Sequence, residues 1–127
     1  MYASRERGAV AVEFALVVPL LVAFLFGIVE GGTRYAQQSQ VNQWANLAAR
    51  DLSIDPAKSA TTVVNGLKGT DTHAFTVSAV GVAGASSLCT STTNNEVTVT
   101  VTSQRTSPSG LFGTYSVKGK GVARCEN

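Results

Sequence analysis

The chain has 127 residues, with 44% apolar and only 14% charged, against roughly 25% charged in an average soluble domain. Its formal net charge of +2 excludes a strongly basic nucleic-acid binder and an acidic solvating tail. Two cysteines and one histidine are too few for a four-ligand zinc site. The apolar residues gather at one end. After MYASRERG, the run Ala9–Val29 carries a single charge, Glu13. As a helix it extends roughly 31 Å, about one bilayer core. The remaining chain is too small and polar to enclose a helix apolar on all sides, so the run reads as membrane-inserted rather than as a buried core helix. Arg5 and Arg7 precede it, which places the N-terminus in the cytoplasm and the C-terminal portion outside. Glu30, Arg34 and Tyr35 then mark the outer interface.

A removable signal, a permanent anchor and a pilin-type stalk all begin in this manner. A secretory signal has a shorter apolar core ending at a small-residue cleavage site, and Val29-Glu30-Gly31 is a poor one. A plain anchor has no use for Glu13, a carboxylate that is costly in lipid unless it stays near the interface or finds a partner. The stretch RGAVAVEFALVVPLL resembles the N-terminus of type IV pilin-like precursors. GAVAVEFALVVPLLVAFLFGIVEGGTRYAQQSQVNQWANLAARDLS further resembles the TadE-like minor pilins, or pseudopilins, of the tight-adherence (Flp-type) pilus system. The likeness covers about the first 52 residues, and Gly31-Gly32 departs from a pattern that often places a bulky residue after the glutamate. It implies that a prepilin peptidase cuts between Gly8 and Ala9, leaving Glu13 as an assembly residue near the new N-terminus. It also implies partners: other minor and major pilins, the pilus assembly platform and its ATPase; the apolar run adds membrane lipid, and the charge excludes nucleic acid.

Beyond the membrane, Tyr35, Val41, Trp44, Ala45, Ala48 and Leu52 recur near helical spacing, with Gln37, Gln38, Gln40, Asn42 and Gln43 opposite. One helix from about Ala9 to about Leu52 is expected, with Pro19 removing a backbone donor inside it. Asp55 suits an N-cap and Pro56 the first position of a second helix, with a stripe Ala60, Val63, Val64, Leu67 and a stop at Gly69. From Ala74 the period becomes two: Phe75, Val77, Ala79; then Val97, Val99, Val101; then Tyr115, Val117, Gly119, Gly121, Ala123. These read as three antiparallel strands with one solvated face, joined by Gly/Ser/Thr/Asn-rich connections at 81–95 and 106–113. Glycines 119 and 121 weaken their strand but permit close approach of the long helix.

In such a meander Cys89, before the second strand, and Cys125, after the third, fall at one end of the sheet. A disulfide between them is expected in an exported domain, the other reading being two unpaired thiols. Nothing reads as a catalytic or metal site. His73 stands alone in a turn, and Asp71 with His73 lacks further ligands. Gly27-x-x-x-Gly31 is either a close-approach face between membrane helices or a chance pair, and Glu30 reads as a solvated charge with at most a weak pairing to Arg34.

The expected fold is therefore α+β: a long N-terminal transmembrane helix, a short second helix and a small three-stranded antiparallel sheet packed on the helix. The layout is a prepilin-type leader at 1–8, the transmembrane part at 9–30 and an exported pilin-like domain at 31–127. The expected role is a non-enzymatic minor pilin or pseudopilin, without cofactor or metal. It is single-pass in the cytoplasmic membrane and serves assembly or initiation of a tight-adherence pilus in adhesion and surface colonisation. The alternative is an uncleaved, anchored extracytoplasmic binding domain, an adhesin or envelope sensor.

Overall fold

The computed structural model describes residues 3–81, 89 and 96–125, with side chains from residue 8 onward. The elements are α1 (Ala3–Ile54), α2 (Ala60–Leu67), β1 (Phe75–Val80), β2 (Glu96–Thr106) and β3 (Thr114–Arg124). The class is α+β, as the sequence implied. Of the connections expected to be loops, 82–88 and 90–95 lie outside the described residues. The chain divides into two units, residues 1–34 and 35–127.

The first unit is the N-terminal part of α1. The helix begins at Ala3 rather than at Ala9, because adding residues to an existing helix costs little and Gly8 inside it costs only about 1 kcal/mol. It runs through Pro19 without interruption. Phe14, Leu16, Leu20, Phe24, Phe26 and Ile28 are all exposed, so the apolar surface is left open all round.

The second unit is built on the remainder of α1. Val41, Trp44, Ala45, Ala48, Ala49 and Leu52 are buried, at spacings of three and four that make one face. Tyr35, expected on this stripe, is instead 78% exposed, since the buried face begins only at Val41. The helix ends two residues beyond Leu52, with Ser53 Oγ donating to the Arg50 carbonyl at 2.7 Å. The second helix also starts later than expected. Asp55 caps nothing; its Oδ1 accepts from Ala57 N at 3.3 Å and its carbonyl from Lys58 N at 3.2 Å, closing a turn around Pro56. Asp and Pro suit a turn as well as a cap, and Lys58 Nζ fixes this one to α1 through Asp51 Oδ1 at 2.9 Å. That hydrogen bond and the Asp51 charge raise the Lys58 pKa. Ser59 is the N-cap residue of α2, Val64 is buried, Ala60 and Val63 pack on the core, and Leu67 stays at the exposed rim. Gly69 follows the C-cap with φ +57°, the left-handed position that glycine tolerates best.

The sheet has the order β1-β2-β3, antiparallel throughout. Its inner face carries Val97, Val99, Val101 and Val117, all buried, with Phe75, Val77, Ala79, Tyr115 and Ala123 packed around them. Val99 pairs with Gly121 and Val101 with Gly119, so both glycines lie on this inner face against α1. A Cβ on Gly119 would stand 2.4 Å from the Val41 carbonyl oxygen, and one on Gly121 would stand 2.2 Å from that of Ala45. The spacing explains the pairing. Two residues along a strand cover roughly 6.6 Å and four along a helix roughly 6 Å, so each glycine meets one helical turn. Farther along, Tyr115 Oη donates to Gln37 Oε1 and Gln38 Nε2 donates to the Lys118 carbonyl.

Alanine at either glycine has no room without displacing helix backbone. Gly121→Ala and Gly119→Ala should each lower unfolding free energy by about 1–3 kcal/mol, the range for overpacking. Gly66→Ala is the control, because its Cβ meets open space inside α2 and should stabilise by up to about 1 kcal/mol. Denaturant unfolding of the detergent-solubilised chain, followed through Trp44, measures all three.

Candidate functional site

Every candidate residue of the N-terminal half lies on α1. The Gly8–Ala9 bond is inside the helix, and a Cβ on Gly8 meets nothing within 4 Å. A protease cutting there must first open the helix locally, which is least costly near a terminus. Glu13 is exposed and forms no ion pair or hydrogen bond among the described residues. Gly27 and Gly31 also face open space in the single chain. Glu30 differs from expectation: it is buried, only 6% exposed, with Oε1 3.8 Å from Arg34 Nε one turn later. The i,i+4 geometry of the helix brings the two together, so the pairing is present and the carboxylate is not a freely solvated charge.

Two further constellations lie in the second unit. Cys89 and Cys125 stand at disulfide distance, with Cα atoms 5.8 Å apart. Cys89 Sγ also rests 3.9 Å from the carbonyl oxygens of Leu52 and Ser53, so the cross-link sits against the end of α1. A link across a sequence separation of 36 stabilises by roughly 3–4 kcal/mol in the chain-entropy model.

The other constellation was not anticipated. Arg105 is buried, 3% exposed, with Nη1 2.8 Å from Asp71 Oδ2. Asp71 Oδ1 accepts from the His73 backbone N–H at 2.9 Å, and His73 Nδ1 lies 2.7 Å from that oxygen and 2.9 Å from Arg105 Nη1. Arg105 Nε and Nη2 are buried without an acceptor among the described residues, and the Trp44 ring lies 5.7 Å from the guanidinium carbon. Cation–π attraction compensates part of that loss. Burial disfavours the charged Asp71 carboxylate, but the hydrogen bonds from His73 and from Arg105, with the Arg105 charge, outweigh it and hold its pKa at about 2. His73 is thus tied into an ion-pair network rather than standing alone in its turn. A signal was available: Arg105 continues the odd-numbered inward series Val97, Val99, Val101, Ser103.

These features define an α+β protein with, among the described residues, one N-terminal helix long and apolar enough to cross a membrane. Residues 8–50 match the family described as TadE-like protein, which is consistent with a component of the Tad/Flp pilus system. The matched segment ends within α1, so the sheet lies outside it. No curated protein and no solved structure shows significant similarity to the chain.

Asp71 is ionised in the fold well below its ordinary value of 3.8, so its contribution to stability is complete above about pH 4. That contribution should be lost as pH falls from about 4 to about 2, and Asp71→Asn should remove this component of the acid transition. Arg105→Ala should cost about 3 kcal/mol at neutral pH by removing the cation that pairs with Asp71. Unfolding free energies measured between pH 2 and pH 7 on the three chains test both statements.

Proposed function

We propose that this protein is a minor pilin or pseudopilin of a tight-adherence pilus, acting in assembly or initiation of the filament and so in adhesion and surface colonisation. The observation that carries the reading is Glu13, a carboxylate with no partner among the described residues, in an open apolar helix inside the segment that matches the TadE-like family. In this reading the chain is a structural component and not an enzyme. The prepilin peptidase cuts between Gly8 and Ala9, the N-terminus faces the cytoplasm, and the sheet domain lies outside, where the Cys89–Cys125 link persists. Other minor and major pilins are its neighbours, and the assembly platform and ATPase move it.

The chemistry of Glu13 follows from the cut. Processing creates a positive amine on Ala9, about 6 Å along the helix from Glu13. A carboxylate in the bilayer centre costs roughly 3 kcal/mol, and less near the interface. A neighbouring subunit's Ala9 amine about 4 Å away, at an effective dielectric near 20, attracts it by roughly 4 kcal/mol. Pairing between subunits thus offsets desolvation and selects one axial stagger. A carboxylate that merely reaches the cytoplasmic interface gains nothing from a neighbour.

Glu13→Ala should insert and be processed like the unsubstituted chain while pilus number falls about tenfold or more, since 1.4 kcal/mol per contact is a factor of ten. Glu13→Lys should be worse, because it places two positive groups together. Counting pili by electron microscopy, with immunoblots for membrane content and processing, makes the test. Normal pili with normal subunit content in Glu13→Ala cells would contradict the assembly role.

A further inference from the structure

The outer face of the sheet, turned away from the core, is built of repeated rows. Thr76, Thr102 and Lys118 stand side by side across the three strands, and Ser78, Thr100 and Lys120 form the next row. Each row runs hydroxyl, hydroxyl, ammonium, and the two stand roughly 6.6 Å apart along the strands. Val80, Thr98 and Val122 border them; Val80 is 59% exposed and Val122 48%, so the face is open. Its charge is one-sided. The carboxylate that the strands bring to it is Glu96, and Arg124 Nε lies 3.7 Å from that carboxylate at the far end. Lys118 and Lys120 are exposed and form no ion pair among the described residues.

Threonine suits the wet face of a strand and lysine guards a sheet edge against pairing. At Lys118 that edge is already engaged, because Gln38 Nε2 donates to its carbonyl. The rows carry no aromatic ring on which a base could stack, so they do not suit a nucleic-acid strand. They also lack the large apolar side chains that anchor a protein partner or enter lipid. Ammonium groups pair with carboxylate or sulfate, and threonine hydroxyls both donate to and accept from other hydroxyls. A sugar polymer bearing acidic groups offers both kinds of partner at once.

We propose that the outer face of the sheet binds an acidic polysaccharide, with Lys118 and Lys120 on its anionic groups and the hydroxyls of Thr76, Ser78, Thr100 and Thr102 on its sugar hydroxyls. This gives the adhesive role proposed above a ligand class, and its use at a surface outside the cell rests on that reading. The binding itself depends on the sheet alone.

Carboxymethyl-dextran and plain dextran share one backbone and differ in charge, so both are immobilised and offered the full chain in a neutral detergent. The charged polymer should retain the chain, less so as salt is added, and the neutral one should not. Lys118→Gln with Lys120→Gln should weaken retention about tenfold. Thr100→Val with Thr102→Val leaves the charge unchanged and should weaken it about threefold. Arg50→Gln with Lys68→Gln removes the same charge from α1 and from the end of α2, and should bind like the unsubstituted chain. The emission of buried Trp44 checks that each variant is folded. An equal loss in the Arg50 and Lys68 control would make the attraction one of net charge and overturn the site. Unchanged retention in the threonine pair would overturn sugar recognition, and tighter retention on immobilised duplex DNA of matched charge would make the ligand a nucleic acid. An unsubstituted chain that is not retained overturns the face and leaves processing at Ala9 and the role of Glu13 as they stand. A chain that keeps Met1 in pilus-producing cells overturns the pilin reading while retention on carboxymethyl-dextran persists.

Discussion

The contact of bare β3 backbone with bare α1 backbone, at Gly119 against Val41 and Gly121 against Ala45, sets most of the second unit. With no side chain between them, helix and strand approach more closely than ordinary packing allows, and the match of one glycine per helical turn fixes their register. The valines of β2 are then drawn onto the same helix face through their pairing with those glycines. Trp44 comes to lie by Arg105, and the end of α1 by Cys89. A core with one tryptophan and few other large side chains has little apolar area to draw on, so dense contact, the Asp71–Arg105 pair and the cross-link each carry a large share of its stability.

Much of this was legible because it depends on periodicity. Alternating valines marked the strands, spacings of three and four marked the buried face of α1 from Val41 to Leu52, and two glycines on one strand face marked the approach of the helix. What was not legible depended on competition between equally suitable roles. Asp55-Pro56 fits a helix start and a turn, and the turn wins because Lys58 reaches Asp51. Tyr35 fits the stripe by number, but the buried face does not extend that far. Arg105 was hidden by its chemistry: a charge at the end of an alternating strand reads as solvated until its partners, more than thirty residues earlier, are seen to fold back to it. Glu30 raised the same difficulty in the helix, where a carboxylate near an apolar end reads as solvated although it is buried.

The likeness to the TadE-like family and the sheet fold rest on different parts of the chain. The family match covers residues 8–50, the part that includes Glu13 and the first buried residues of α1. The sheet depends on the local pattern of the chain that follows. One helix thus belongs to both, bearing an open apolar surface in the first unit and half of the core in the second. Substitutions before Arg34 therefore bear on the open apolar helix, and those from Val41 onward bear on whether the sheet can dock on its helix.

The central claim is that the helix enters assembly with a new N-terminus beside Glu13, and the mass of the protein taken from the membranes of pilus-producing cells tests it most directly. That chain should begin at Ala9, lacking the eight residues MYASRERG. A dominant species that retains Met1 would contradict it, because no amine would then stand near Glu13 and the chain would be an uncleaved anchor.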